Sequence, residues 1–188
     1  MIESATQPKR ADAVRNRERV VAAAAAVFAE HGIEASVPEV AARAGVGKAT
    51  VYRSFPTKEH LIAAVVLDRL DEFERRAREL AREPDAWAAL HRLMGEKAVE
   101  QCVDRTLASA LHAGLAPELL AEARRRMWGA VEELMERAKA QGRMRADATP
   151  ADLRVLWAGA ARVLAADGVE DPAQWRRYSA LVVDALRA

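Results

Sequence analysis

The sequence has a single cysteine, Cys102, among 188 residues. One thiol closes no disulfide within the chain and builds no thiolate cage for a metal, so a reducing cytoplasm is the expected setting. Net charge is nearly missing: 29 Lys+Arg stand against 28 Asp+Glu, a formal +1. No global field therefore draws the chain to nucleic acid, and any charge that binds it has to be local. Long apolar runs are missing as well. The longest, Val20 to Ala29, is mostly alanine, and it falls well short of the roughly 20 residues that cross a bilayer. No membrane partner is expected. The polar start, MIESATQPKRADAVRNR, lacks the apolar stretch of a signal peptide. Alternating β-branched runs and internal repeats are not found. His91 and His112 have no Glu-x-x-His or Cys companions, so neither a metal nor another cofactor is expected. An all-helical enzyme would need a nucleophile–base or metal constellation, and none stands out.

What is present is helix-forming sequence from end to end, rich in Ala, Leu, Arg and Glu. It predicts an all-α fold of about nine helices. Residues 1–10 read as a disordered arm. A first helix, 11–31, shows an apolar face of Val14, Val21, Ala24, Ala25 and Phe28 and stops at Gly32. Ser36 and Glu39 are spaced for a capping box ahead of a short helix, Val37–Ala44. Gly45 ends it, and a second short helix runs from Lys48 to Ser54 before Phe55-Pro56. Thr57 caps a long helix whose stripe, Leu61, Val65, Leu70, Phe73 and Leu80, continues almost to Pro84. Five further helices are predicted: Asp85–Cys102, Val103–Ala113, Pro117–Ala140, Pro150–Ala166 behind Thr149, and Pro172–Leu186 behind a box of Asp171 and Gln174. The implied organisation is an arm (1–10), a DNA-binding domain (11–56) and a helical effector-binding and dimerisation domain (57–188), connected by the helix over 57–83.

The informative segment is SVPEVAARAGVGKATVYRSF, residues 36–55. Two short helices that cross steeply need a small residue where they touch, here Ala41, and a turn residue that accepts positive φ, here Gly45. Val40, Ala44, Val46, Val51 and Phe55 supply apolar contacts. The second helix is left with polar side chains for base edges and phosphates. Ala44-Gly45-Val46, Thr50-Val51-Tyr52, Phe55, Lys58-Glu59 and Leu61 together resemble the DNA-binding signature of the TetR family of repressors. The resemblance is specific over 11–65. Over 85–188 it is architectural, although GRMRADATPADL (142–153) is similar to a loop near the end of one branch of the family. One departure is Gly47, where the family usually has a capping serine. Glycine is itself an acceptable cap, so the expected loss is at most about a few tenths of a kcal/mol.

That resemblance implies a ligand-inducible repressor that is not an enzyme and that binds double-stranded operator DNA as a homodimer. It implies that Lys48, Ala49, Thr50 and Arg53 meet base edges or nearby phosphates, that Tyr52 meets the backbone, and that Lys58 reaches a phosphate. Backbone N–H groups at Ser36 and Val37 are candidates for another phosphate. Arg10, Arg15 and Arg17 are candidates for added contacts from the arm. The Arg124-Arg125-Arg126 run alternates with glutamates and reads as a solvated face. An unknown small-molecule inducer is expected among the middle helices, with Trp87, His91, Met94, Leu107, Leu111, Met127 and Trp128 as candidate lining. Helices 150–166 and 172–187 are expected to dimerise, with Gly159 and alanines allowing close approach. The long helix at 57–83 is expected to carry the signal between ligand and DNA. A helix-turn-helix protein of purely architectural role remains the alternative, with an all-helical enzyme behind it.

Overall fold

The computed structural model describes residues 6–104, 110, 114 and 116–188, with side chains from Asp12 onward. Eight helices follow one another among these residues: α1 Thr6–His31, α2 Val37–Ala44, α3 Lys48–Ser54, α4 Lys58–Leu80, α5 Ala86–Val103, α6 Pro117–Ala140, α7 Pro150–Ala166 and α8 Pro172–Asp184. The fold is all-α, as the sequence predicts. The helix expected over Val103–Ala113 falls mostly outside the described residues. They divide into two compact units, Met1–Leu67 with Thr106–Leu119 and Asp68–Arg105 with Leu120–Ala188. The division falls inside α4.

α1 begins at Thr6, ahead of the start expected at Ala11. Pro8 lies in its first turn, where a missing N–H costs nothing. The buried stripe of α1 is Val20, Ala23, Ala24, Val27 and Phe28, while Val14 is 53% exposed. The predicted face was therefore rotated. A helix with so many alanines offers little contrast between its sides, and the periodicity of its few large residues misleads.

Caps set the other ends. Asp85 accepts from the Ala88 N–H at 2.9 Å and starts α5. Thr149 and Asp152 form a reciprocal capping box, with bonds of 2.8 and 3.2 Å, ahead of α7. The Asp171 carboxylate accepts from the Ala173 N–H at 2.9 Å, while Gln174 donates its N–H to the Asp171 backbone carbonyl, so the box predicted at α8 is replaced by a shorter cap. α4 stops at Leu80, short of the predicted end. Its last turn tightens through Arg82 N–H to the Glu79 carbonyl, and Pro84 disfavours helical backbone at the residue before it.

The second unit packs Trp87, Leu90 and Leu93 of α5 against Leu134 and Met135 of α6, Leu153 of α7 and Val183 of α8. A smaller cluster joins Ala98 and Cys102 to Ala161, Leu164 and Trp175. Trp175 is fully buried and donates its indole N–H to the Val169 carbonyl at 2.9 Å. The elbow between α4 and α5 is held by side chains from the end of α6. Arg137 donates to the carbonyls of Ala81 and Glu83. The Gln141 amide donates to the Pro84 carbonyl at 2.6 Å, and its oxygen accepts from the Ala86 N–H at 3.0 Å. Ion pairs tie α4 to both neighbours: Arg76 to Glu96 at 2.7 Å, Arg69 to Asp104 at 3.0 Å, and Arg126 of α6 to Glu74 at 3.1 Å.

Candidate nucleic-acid interface

The site is built from Ser36 upward. The Glu39 carboxylate accepts from the Ser36 backbone N–H at 2.6 Å, and the Ser36 hydroxyl accepts from the Glu39 N–H at 3.4 Å. Those bonds hold the Glu39 carboxyl below its ordinary range, so a negative charge sits where the α2 dipole favours it. Val37, Val40 and Ala41 turn inward. Gly45 then adopts φ 66°, ψ 35°, its N–H donating to the Ala42 carbonyl and that of Val46 to the Ala41 carbonyl. Gly47 starts α3 without a side-chain cap. Val51 and Phe55 are buried beneath α3, whereas Ala44 and Val46, also expected in the contact, are half-buried.

This packing decides which side of α3 faces out. Lys48, Ala49, Tyr52 and Arg53 are exposed, and Thr50 is half-buried. Arg53 donates to the Thr50 hydroxyl at 3.1 Å. The Lys48 ammonium stands 5.6 Å from the centre of the Tyr52 ring. Lys58 is the first residue of α4; its ammonium lies 4.0 Å from Glu34, a side chain that is 93% exposed. Ser36 is exposed, while the Val37 side chain belongs to the core and leaves only its backbone to offer. The capping box also occupies the Glu39 N–H, and Pro38 has none, so α2 presents fewer amide donors than a helix start usually does.

The cations of this unit fall into two sets. Arg15 pairs with Asp12 and Arg43 with Glu30. Among the described residues no carboxylate pairs with Arg17, Lys48 or Arg53. Arg17 instead lies over the Phe55 ring, 4.6 Å from its centre. In the second unit, Arg125 is bound to Glu122, and Arg126 to Asp71 and Glu74. Two of the three arginines of that run are spent on ion pairs, in keeping with a solvated face.

The residues expected around an inducer are placed unevenly. Trp87 and Met94 lie buried in the core, with Trp128 packed against it and Met127 half-buried. His91 meets the Trp87 ring edge-on at 5.2 Å, and its Nε2 is 3.3 Å from the Asp184 carboxylate. Arg187 first, and then His91, hold the Asp184 carboxyl below its ordinary range. Leu107 and Leu111 lie outside the described residues. An open surface depression between α5 and α8 is lined by His91, Glu96, Val99 and Arg176 among others. It shares only His91 with the predicted set. Nothing in the sequence spacing links Arg176 to α5.

Two short helices, a left-handed glycine between them and an outward cationic face define a helix-turn-helix DNA-binding protein. Residues 20–65 match the profile of bacterial regulatory proteins of the tetR family, and 85–188 match the C-terminal domain of SbtR-like transcriptional regulators. The chain belongs to the TetR family of transcriptional regulators, which are not enzymes. A TetR regulator from Streptomyces coelicolor is 31% identical, with TM-score 0.67 over 91% of this chain and 98% of the other. One from Mycobacterium vanbaalenii is 32% identical, with TM-score 0.68 over 96% of this chain and 100% of the other. FadR from Bacillus subtilis, solved with stearoyl-CoA, shares the fold at 17% identity and TM-score 0.71, over 89% of this chain and 95% of its own. Comparison with curated proteins gives no match.

A Cβ added at Gly45 meets nothing within 4 Å, so only backbone strain opposes substitution there. Gly45→Ala is expected to lower stability by about 1–2 kcal/mol, and Gly45→Asn by less, in urea unfolding. Equal stability of all three proteins would show that the left-handed turn is not needed.

Proposed function

We propose that the chain is a ligand-responsive transcriptional repressor, working in the cytoplasm as a homodimer on a pseudo-palindromic operator. One observation carries the DNA reading: with Val51 and Phe55 buried, Lys48, Tyr52 and Arg53 are exposed together on α3, and the half-buried Thr50 is bonded to Arg53. In this reading Lys48, Ala49, Thr50 and Arg53 meet base edges and adjoining phosphates. Tyr52, Lys58 and the backbone at Ser36 and Val37 hold the sugar–phosphate chain. A gel shift against the DNA upstream of its own gene tests the whole. A repressor selects one pseudo-palindrome, an architectural protein shifts any duplex alike, and an enzyme shifts none.

Two recognition helices must sit about one DNA turn apart, roughly 34–36 Å or somewhat more, which calls for a dimer. α7 exposes Val155, Leu156 and Val163 around Gly159, and α8 exposes Tyr178 and Leu181. Such an apolar face on two adjacent helices supports pairing with a second copy. In this reading the inducer lies against α5 and α6, where Trp87, His91, Met94, Met127 and Trp128 stand; that a regulator of the same fold was solved with stearoyl-CoA supports a small-molecule ligand. Leu107 and Leu111 complete the proposed set from outside the described residues. Ligand and DNA then oppose each other through α4, with coupling of about 1–3 kcal/mol.

Four outcomes are expected. Lys58→Ala weakens binding to operator and random duplex alike and lowers the slope of log K against log[salt] by about 1 per protomer. Arg53→Ala costs about 1–3 kcal/mol at particular base pairs and relaxes the preference there; an unchanged base preference, measured on a panel of operator variants, would remove Arg53 from the recognition set. Leu181→Glu with Val163→Glu gives a monomer at micromolar concentration in sedimentation, with weaker operator binding. A persistent dimer places the interface elsewhere. Finally, calorimetry with an inducer found by screening is expected to show weaker ligand binding to the operator complex than to free protein, by the same factor that ligand weakens DNA. Equal affinities would mean that the domain serves dimerisation alone.

A further inference from the structure

We infer that the groove between α5 and α8 is a second small-molecule site, one that takes a monocarboxylate with a short apolar body. The groove has a volume of about 610 Å³, within the general range of ligand sites. His91, Gly95 and Val99 recur at every fourth position of α5 and share one side of it, about 12 Å long. Arg176 and Ala180 are spaced the same way on α8. The two helices run antiparallel. His91 lies 3.3 Å from Asp184 at one end, and the Cys102 thiol donates to the Glu170 carbonyl at 3.4 Å at the other. Arg176 therefore stands at the Val99 end of the groove. Val99 is about 120° around the α5 axis from Trp87 and about 140° from Met94, so this side of α5 is not the one proposed to meet the inducer. Only His91 belongs to both sets.

Two features decide what the groove accepts. The first is its floor. Gly95 sits in mid-helix, where only proline is a poorer helix former. A Cβ added there meets nothing within 4 Å, so no neighbour in the chain demands the glycine. Its effect is to leave the backbone open to close approach by a bound molecule. Val99 and Ala180 beside it make the surface offered to that molecule apolar. The second feature is charge. Arg92 is paired with Glu83 at 2.5 Å, Glu96 holds Arg76 through two bonds of 2.7 and 2.8 Å, and Glu100 is paired with Lys97 at 3.0 Å. The exposed Arg176 is the one arginine of the lining without a carboxylate partner among the described residues. A guanidinium presents parallel N–H donors that match the two oxygens of a carboxylate. At one end of an apolar trough, it fits a ligand with a carboxylate at one end and hydrocarbon behind it.

Hexanoate tests the site, with hexanamide and hexylamine as neutral and cationic counterparts. Each is titrated into the isotope-labelled full chain and followed by amide proton–nitrogen correlation spectra, with a thermal melt of every variant. Hexanoate is expected to shift the Gly95, Val99 and Ala180 amides saturably, and its counterparts to bind about tenfold more weakly or not at all. Arg176→Gln is expected to lower hexanoate affinity to that of hexanamide. Arg177→Gln alters the next exposed arginine of α8, outside the groove, and keeps wild-type affinity. Gly95→Leu puts a side chain on the floor. It is expected to abolish binding without lowering the melting temperature, because leucine is the better helix former. Should Gly95→Leu not fold, Arg176→Gln decides alone. Shifts centred on Trp87 and Met94 overturn the inference and put the carboxylate in the proposed inducer site. A lack of saturation also overturns it, by showing nonspecific contact only. So does an Arg176→Gln protein that still prefers hexanoate to hexanamide, or a folded Gly95→Leu protein that binds as wild type does.

Discussion

Gly45 holds the backbone between α2 and α3 in the left-handed region, at φ 66°, and the DNA-facing side of the protein depends on that one conformation. The turn brings α3 across α2 so that Val51 and Phe55 bury against the same core that takes Val40 and Ala41. Because those positions are spent inward, Lys48, Tyr52 and Arg53 have only one side of the helix left to occupy. A helix of seven residues has no stability of its own; it exists because its apolar side is packed. In the proposed reading, recognition chemistry is a by-product of a packing solution.

The near-zero net charge of the chain has a structural counterpart. In the second unit several arginines are matched locally: Arg76 with Glu96, Arg126 with Glu74 and Asp71, Arg69 with Asp104. Around α3, Arg17, Lys48 and Arg53 lack carboxylate partners among the described residues. A small imbalance, placed on one side of a small unit, gives a local field that the global sum conceals. The exposed pairs elsewhere add little stability each.

Legibility in the sequence followed the range of the interactions. α2, α3, α6 and α7 begin and end where the sequence places them, because Ser36, Gly45, Pro117, Thr149 and Pro150 act on their immediate neighbours. The family signature at 44–61 was readable for the same reason: its residues lie within a few turns of one another. The face of α1 was misread, since alanines carry little contrast and Val14 lies beyond the edge of what α1 packs against. The surroundings of Trp87 and Met94 were legible as apolar and no further, because a core position and a ligand-lining position use the same residue types. The stacking of Arg17 on Phe55 joins residues far apart in sequence, and no local pattern announces it.

The elbow at 81–86 shows the opposite limit. Its backbone groups find their partners on Arg137 and Gln141, more than fifty positions further along the chain. Until α6 docks, that corner has no local means of satisfying the Ala81, Glu83 and Pro84 carbonyls except water. The long-range bonds therefore form only after the entropy of closing the intervening loop has been spent. On the ribosome the corner leaves the exit tunnel well before the side chains that complete it. α4 and α5 must wait for later-made sequence before the angle between them is fixed, so the order of synthesis and the order of assembly differ at this joint.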